Sequence, residues 1–378
     1  MASRAYFDHN ATTPVDERVF EAMLPYLREH YGNASSGHRE GRLAHQAVEQ
    51  AREQVAALVK AHPSQVIFTS GGTEANNLAL KGVRVAGKSP SLAVSAVEHA
   101  SVLVPARKMG ARILDVGAEG NVERDSLDEA LQAGCRLVSA MLVNNETGTI
   151  ERIAELAQQA RASGALFHTD AVQAAGKIDL DMPALGVDLL SLSAHKIYGP
   201  KGVGALVTDK AVTLVPQLEG GGHEKGRRSG SLNVAAIVGF GQAAELAVTE
   251  MASRNAQQQT LREQFEHELS ASVEGVVIHA RTAERVANTS FASVPGLDGE
   301  ALLMALDDSG FAVSSGSACD SKSTEPSHVL MAMGVEESVA RGAIRISLGC
   351  DNTREQVGQL VQAIKTHSER LGSLASGW

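Results

Sequence analysis

Short apolar runs recur through the first part of the chain, at 65–69, 92–97, 136–143, 165–169, 188–193 and 203–207. Each has the length and bounded apolar character of a buried strand. Between them the apolar positions fall at helical spacing, as at 75–83 and 150–162, and two longer helical patterns come first, at 16–30 and 41–60. Strands alternating with helices predict an α/β fold, a mainly parallel sheet covered by helices on both faces. In such sheets the loops at the carboxyl ends of the strands handle ligands. A segment rich in Gln and Glu, 251–274, reads as one long helix, and a domain change is expected near its start. Beyond it, strands at 291–294 and 344–348 mix with helices in an α+β pattern that closes on a helix at 354–371. The expected division is a large domain over 11–252 and a smaller α+β domain formed by 1–10 together with 253–378. The chain has no internal repeat and no low-complexity tract.

Composition sharpens this picture. A length of 378 residues exceeds one simple core and suits two domains. With 43% hydrophobic and 21% charged residues the chain is of ordinary globular type. Aromatics are only 3%, so the core must rest on Ala, Val, Leu and Ile. No uninterrupted apolar run approaches the roughly 18 residues of a membrane span, and the first ten residues lack the apolar segment of a secretory signal. A soluble, cytoplasmic protein is the expectation, with no membrane partner. The net charge of −10, from 44 acidic against 34 basic side chains, argues against direct nucleic-acid binding, which needs a basic surface. It leaves room for a local basic patch on a face that meets a partner. The three cysteines, Cys135, Cys319 and Cys350, have no metal-ligand spacing and form an odd set. No metal site follows from them, and at least one free thiol is expected.

Several segments carry residue types suited to chemistry. Ser70-Gly71-Gly72-Thr73-Glu74-Ala75-Asn76-Asn77 follows a strand-like run and opens a helix. Its glycines permit close backbone approach, its first N–H groups favour an anion, and Thr73 adds a hydroxyl donor. An ordinary capped turn is the plainer reading. His168-Thr169-Asp170-Ala171-Val172-Gln173 ends another apolar strand and puts a carboxylate where a ligand would be met, or where a helix would be capped. Ser193-Ala194-His195-Lys196-Ile197-Tyr198-Gly199-Pro200-Lys201-Gly202 ends the next. Most lysines are solvated, but an amine at a strand end suits Schiff-base chemistry, since desolvation and nearby cations free its lone pair. The pairing of Asp170 with Lys196 on successive strand ends favours the chemical reading.

Three further segments are more ambiguous. The loop Gly220-Gly221-Gly222-His223-Glu224-Lys225-Gly226-Arg227-Arg228-Ser229-Gly230-Ser231 is locally basic, and could supply Arg, hydroxyl and backbone donors to a phosphate or simply be solvated. The run Ser314-Ser315-Gly316-Ser317-Ala318-Cys319-Asp320-Ser321-Lys322-Ser323-Thr324-Glu325-Pro326-Ser327 holds a cysteine among small polar residues, unusual for a side chain that is ordinarily buried. Lys322 or a cationic substrate group would help ionise that thiol, and Asp320 would oppose this. Cys135 and Cys350 flank strands and read as structural. In Ile344-Arg345-Ile346-Ser347-Leu348-Gly349 a guanidinium sits within an apolar strand. It needs an anionic partner, either a structural carboxylate or a substrate carboxylate gripped bidentately.

Together these segments resemble the cysteine desulfurases, within the fold-type-I pyridoxal-phosphate enzymes of the aminotransferase class V group. The resemblance runs nearly end to end, from Tyr6-Phe7-Asp8-His9-Asn10-Ala11-Thr12-Thr13-Pro14 to the C-terminal helix. The order and spacing of the motifs carry it, and the segment 314–326 is similar to the longer, mobile-loop branch that includes the NifS/IscS-like enzymes. The resemblance implies a large seven-stranded domain that binds pyridoxal 5'-phosphate and a small domain that carries the cysteine loop. It implies that Lys196 holds the cofactor aldehyde, Asp170 pairs with the ring nitrogen, His99 stacks on the ring and moves protons, and Gln173 bonds the ring hydroxyl oxygen. Thr73, Ser193 and His195, with backbone help from Gly72, would hold the phosphate. Ser231 would reach the phosphate of a neighbouring subunit, which implies a homodimer. Asn145, close to the ring, and Arg345 would bind the carboxylate of L-cysteine. Cys319 would take the substrate sulfur as a persulfide, leaving L-alanine, and pass it to an acceptor protein such as an iron–sulfur scaffold or another sulfur carrier.

Some positions depart from the common pattern of that family. Ser231 stands where threonine is frequent, Gly72 where alanine is, and Asp320 where Ser or Thr is. The chain ends at Trp378, without the longer tail by which housekeeping members dock their scaffold, so the acceptor is left open. A selenocysteine lyase is the rival within the same fold, and activity on selenocysteine alone would favour it. An aminotransferase has no use for the loop cysteine. A catalytically inactive scaffold protein of this fold is the rival of another class, and inability to bind pyridoxal phosphate would favour it.

Overall fold

The computed structural model describes residues 4–315 and 325–375. Its centre is a seven-stranded sheet of β1 (Val66–Thr69), β2 (Leu92–Ser95), β3 (Arg112–Leu114), β4 (Leu137–Ser139), β5 (Leu166–Asp170), β6 (Leu189–Ser193) and β7 (Gly204–Thr208), in the spatial order β1-β7-β6-β5-β4-β2-β3. All neighbours pair in parallel except at β7, which runs antiparallel to both β1 and β6. Successive residues of each strand feed opposite apolar layers. Ala93, Val138, Leu190 and Val207 join one layer, while Val94, Leu137, Leu189 and Leu206 join the other. With both faces covered, these strands read as unbroken apolar runs rather than as alternation.

Helices α1 (Glu17–Arg28) and α2 (Arg39–Leu58) pack on one side, and α3 (Gly72–Gly82), α4 (Ala100–Lys108), α5 (Arg124–Gln132) and α6 (Ile153–Ala162) follow strands in turn. The helix expected over 251–274 is longer: α7 runs unbroken from Val234 to Ser272, 39 residues. Its first half is apolar on most sides and sinks against α1 and α2, with Ile237, Phe240, Ala243 and Ala247 in the large core. By length and composition this helix could cross a membrane, but half of its most apolar window is buried inside the protein, as in a core helix. Its second half sends Leu261, Phe265 and Leu269 into a separate apolar cluster with Phe7, Ile344, Ile346, Leu360 and Ile364. The expected domain change near 252 therefore falls inside one continuous helix.

The second cluster lies under a small antiparallel sheet of β8 (Val277–Ile278), β9 (Thr289–Ser293), β10 (Ser314–Ser315) and β11 (Ala343–Ser347), ordered β8-β9-β11-β10. Helices α8 (Gly299–Asp308) and α9 (Arg354–Ala375) complete it. Residues 5–6 pair in parallel with 311–312, so the N-terminus is stitched to the C-terminal part of the chain.

Candidate active site

Strand ends create the site. Asp170 is the last residue of β5, Ser193 the last of β6, and a single 3₁₀ turn, Ala194–Lys196, follows it. His99 caps the N-terminus of α4, and α3 begins at Gly72 directly after β1. From the small sheet, β11 turns Ile344 and Ile346 into their core, and by the two-residue period it sends Arg345 to the other face. These elements enclose a cavity of about 500 Å³. Of the twelve residues expected at a site, ten line it: Gly72, Thr73, His99, Asn145, Asp170, Gln173, Ser193, His195, Lys196 and Arg345.

Buried polar partners fix the orientation of several of them. Asp170 is 4% exposed; its Oδ2 accepts from Asn76 Nδ2 at 2.7 Å and its Oδ1 from the Val172 N–H at 2.9 Å. His99 Nδ1 accepts the Ser101 N–H at 3.1 Å, so the neutral ring keeps its proton on Nε2. Burial pushes the His99 pKa down; Asp170 opposes this, while Lys196 and His328 add to it. His195 is likewise held neutral, its pKa lowered to about 4 by burial and by Lys196 and Lys201. Glu98, which precedes His99 in the chain, is fully buried and carries its carboxyl well above the usual range, through desolvation and then the charge of Asp170.

Lys196 Nζ donates to the carbonyl oxygens of Asn10 at 2.5 Å and Ala11 at 2.7 Å. Arg345 Nη2 donates to Asp8 Oδ1 at 2.7 Å and Nη1 to the Asn145 carbonyl at 3.1 Å. The structural carboxylate and the exposure to the cavity thus coexist at this arginine. Asn10 joins the two halves: its Nδ2 donates to Asn145 O and to Thr289 Oγ1.

Gly72 explains its departure from alanine. A Cβ there would lie 2.9 Å from Val172 Cγ2, so the first turn of α3 comes close to the strand-end loop only without a side chain. Gly204 serves a similar end, for a Cβ would meet Leu192 O at 2.5 Å and the Gly71 carbonyl carbon at 2.7 Å. Gly72 and Thr73, the first residues of α3, line the cavity, so a helix N-terminus stands at its wall, a setting that suits a phosphate.

Two expected residues are not among these ten. Ser231 is exposed and outside this cavity. Cys319, with Asp320 and Lys322, falls outside the described residues, but the flanks of its segment do not. Ser314 lines the cavity, and Ser327 donates to Glu146 Oε2, next to Asn145. His328 Nε2 meets Glu98 O at 3.0 Å, next to His99. Arginines of the basic loop are taken up structurally: Arg228 Nε bonds Glu74 Oε1 at 2.8 Å, and Arg227 donates to carbonyl oxygens of Ser64 and Glu224. Cys135 and Cys350 both have thiols pushed up by burial, in keeping with structural roles.

Sequence reasoning passed over Asn10, Asn76, Glu98, Glu146, Lys177 and His328. All except Lys177 stand within or directly beside the motifs and residues named above, and that proximity was the available signal. The donor set fits pyridoxal phosphate: a helix N-terminus with hydroxyls for a phosphate, a fixed carboxylate for a ring nitrogen, and an amine for an aldehyde.

Comparison with known proteins agrees with this architecture. The model of the aminotransferase class-V family matches residues 5–360. The chain belongs to that family. It is 46% identical over 380 residues to a cysteine desulfurase IscS of Anaeromyxobacter sp. (strain Fw109-5), covering 98% of this chain and 94% of the relative. It is 43% identical to a cysteine desulfurase IscS of Dictyoglomus turgidum (strain DSM 6724 / Z-1310), covering 99% and 97%. The solved structure of a NifS-like protein from Rickettsia africae ESF-5 superposes with a TM-score of 0.90 at 34% identity, covering 97% of this chain and 99% of that one.

Proposed function

We propose that this protein is a pyridoxal-phosphate-dependent cysteine desulfurase that moves sulfur from L-cysteine to Cys319 and thence to an acceptor protein. The observation that carries the reading is the convergence of ten motif residues, from distant parts of the chain, on one cavity between the strand ends and β11. Curated relatives of nearly full coverage bear the same activity in their names.

Pyridoxal phosphate supplies, when bound, an aldehyde for an amine and a ring that draws electrons from the substrate carbon. Lys196 offers that amine, oriented by the carbonyls of Asn10 and Ala11. Asp170, its oxygens fixed by Asn76 and Val172, would hold a proton on the ring nitrogen. Gln173 would meet the ring oxygen, and Gly72, Thr73, Ser193 and His195, all lining the cavity, would hold the phosphate. His99, neutral and protonated on Nε2, lines the cavity as a proton donor. Asn145 and Arg345 receive the substrate carboxylate, and Arg345 is rigidly placed by Asp8. The Cys319 thiolate attacks the substrate sulfur; the S–S bond forms as the C–S bond breaks, and the carbon skeleton leaves as alanine. Ser231, exposed in one protomer, is assigned to the partner's phosphate in a homodimer, and the compartment is assigned as cytoplasmic. Domains of 11–252 and of 1–10 with 253–378 are assigned, a division supported by the separate apolar clusters around Phe240 and Phe265.

The test is production of alanine and sulfide from L-cysteine by purified protein with pyridoxal phosphate and a reductant. Equal amounts are expected, and Cys319→Ala abolishes sulfide while keeping the cofactor spectrum. Activity on selenocysteine with none on cysteine would favour the lyase, and absence of cofactor binding would favour an inactive scaffold.

A further inference from the structure

Behind the cavity wall stands a second lysine that the mechanism does not use. Lys177 follows Gln173 by one turn, and its Nζ donates to Gln173 Oε1 at 2.7 Å and to Asn10 Oδ1 at 2.9 Å. Gln173 Nε2 in turn donates to the Asn10 carbonyl oxygen at 2.9 Å, the same oxygen that accepts from Lys196 Nζ. Asn10 Oδ1 also accepts from Asn288 Nδ2 at 3.0 Å. Desolvation, with the charges of Lys196 and Arg345, holds the Lys177 amine well below the ordinary lysine range. Two of its N–H groups are directed at amide oxygens, one on Gln173 and one on Asn10.

A primary amide has one accepting end and one donating end, and turning it over exchanges them at little steric cost. An amine that donates can face only the oxygen end. With Lys177 in place, Gln173 must keep Oε1 inward and Nε2 toward the cavity; one Nε2 hydrogen goes to Asn10, and the other remains for a ligand. We propose that Lys177 is a positioning residue that sets the polarity of the Gln173 amide, so that the cavity wall offers a donor to an anionic ring oxygen of the cofactor. This rests on the reading of the cavity as a pyridoxal-phosphate site. The same two bonds tie Asn10, and through its carbonyl the Lys196 amine, to one fixed point.

Lys177→Met removes both donors and keeps the aliphatic stem. The readouts are the Kd for pyridoxal phosphate added to the apoprotein and the pH midpoint of the absorption band of the Lys196-bound cofactor. Loss of one oriented hydrogen bond predicts a Kd about three- to tenfold weaker and a midpoint about half to one pH unit higher. Because Lys177 acts through Gln173, its replacement shifts the midpoint little further in a Gln173→Leu background. Gln173→Glu, which presents only acceptors and is isosteric, shifts the midpoint in the same direction and serves if Lys177→Met does not fold. A folded Lys177→Met with wild-type Kd and midpoint overturns the proposal, as does an equal shift in the Gln173→Leu background or an unmoved midpoint in Gln173→Glu. Wild-type protein that forms no such band would instead overturn the cofactor reading itself.

Discussion

His168 lies on β5 two residues before Asp170 and is fully buried. Its Nδ1 faces Ser139 Oγ and its Nε2 faces Ser191 Oγ, each at 2.9 Å, so the ring bridges the two neighbouring strands. Hydroxyls on both sides satisfy a neutral imidazole, but nothing there compensates a charge, and desolvation lowers its pKa from 6.5 to about 3. The unfolded chain takes up a proton as the pH falls below 6.5, while the folded protein does not. Stability from this group is therefore complete above 6.5 and is lost as the pH falls toward the folded value. At pH 5.0 the loss spans about 1.5 units below the ordinary histidine value of 6.5, worth about 2 kcal/mol at roughly 1.4 kcal/mol per unit. His168→Gln can bond a serine and cannot titrate, so its packing cost is the same at every pH. Urea unfolding at pH 7.5, 6.0 and 5.0 then compares the two proteins; the advantage of the wild type should shrink by about 2 kcal/mol from 7.5 to 5.0. Three other histidines, the buried His9 and His279 and the half-buried His195, each lowered to about 4, act in the same direction in both proteins and cancel. A constant difference across this range, or an NMR titration of the His168 ring centred near 6.5, would refute the reasoning.

Other perturbations have equally definite outcomes. Lys196→Ala should eliminate the visible absorption of lysine-bound cofactor while the protein remains folded by circular dichroism. Asn76→Ala frees one oxygen of Asp170 and should weaken cofactor affinity by about tenfold, measured by titration of apoprotein, with a cost on the scale of one hydrogen bond to a charged group. Glu224→Gln breaks a buried pair in which both carboxylate oxygens accept from Arg52, at 2.7 and 2.8 Å. It should cost about 3 kcal/mol, read as a lower urea midpoint, with the spectrum of bound cofactor unchanged.

Much of this structure is legible along the chain, and the limits have physical causes. The sheet strands are apolar on both faces, so their runs are conspicuous, and the chemistry sits where such runs end. Ser193 and Lys196 are within reach of that logic. Asn10 is not, because its role comes from Thr289, Asn288, Gln173 and two lysines, partners as far as 279 positions away. Lys177 reads as a solvated side chain until Gln173 and Asn10 surround its amine. The beginning of α7 escaped because a helix buried on most sides carries no polar stripe; only its half-exposed second part displays helical amphipathicity. The structural partner of Arg345, Asp8, belongs to the very motif at which the resemblance begins.

The continuity of α7 sets a dimension of the active site. Its two halves are anchored in different apolar clusters, and the small one carries Arg345 on β11. Between the anchors the helix passes the exposed Ala252 and Ser253, which do not line the cavity. There the number of residues is itself a structural parameter, since each one advances the helix about 1.5 Å and rotates the rest of it by about 100°. The distance from Arg345 to Lys196 is thus kept by counting along a rod. Natural variation in length should be tolerated in surface loops and excluded from this plain stretch of helix, where a single inserted alanine would carry the guanidinium off its mark.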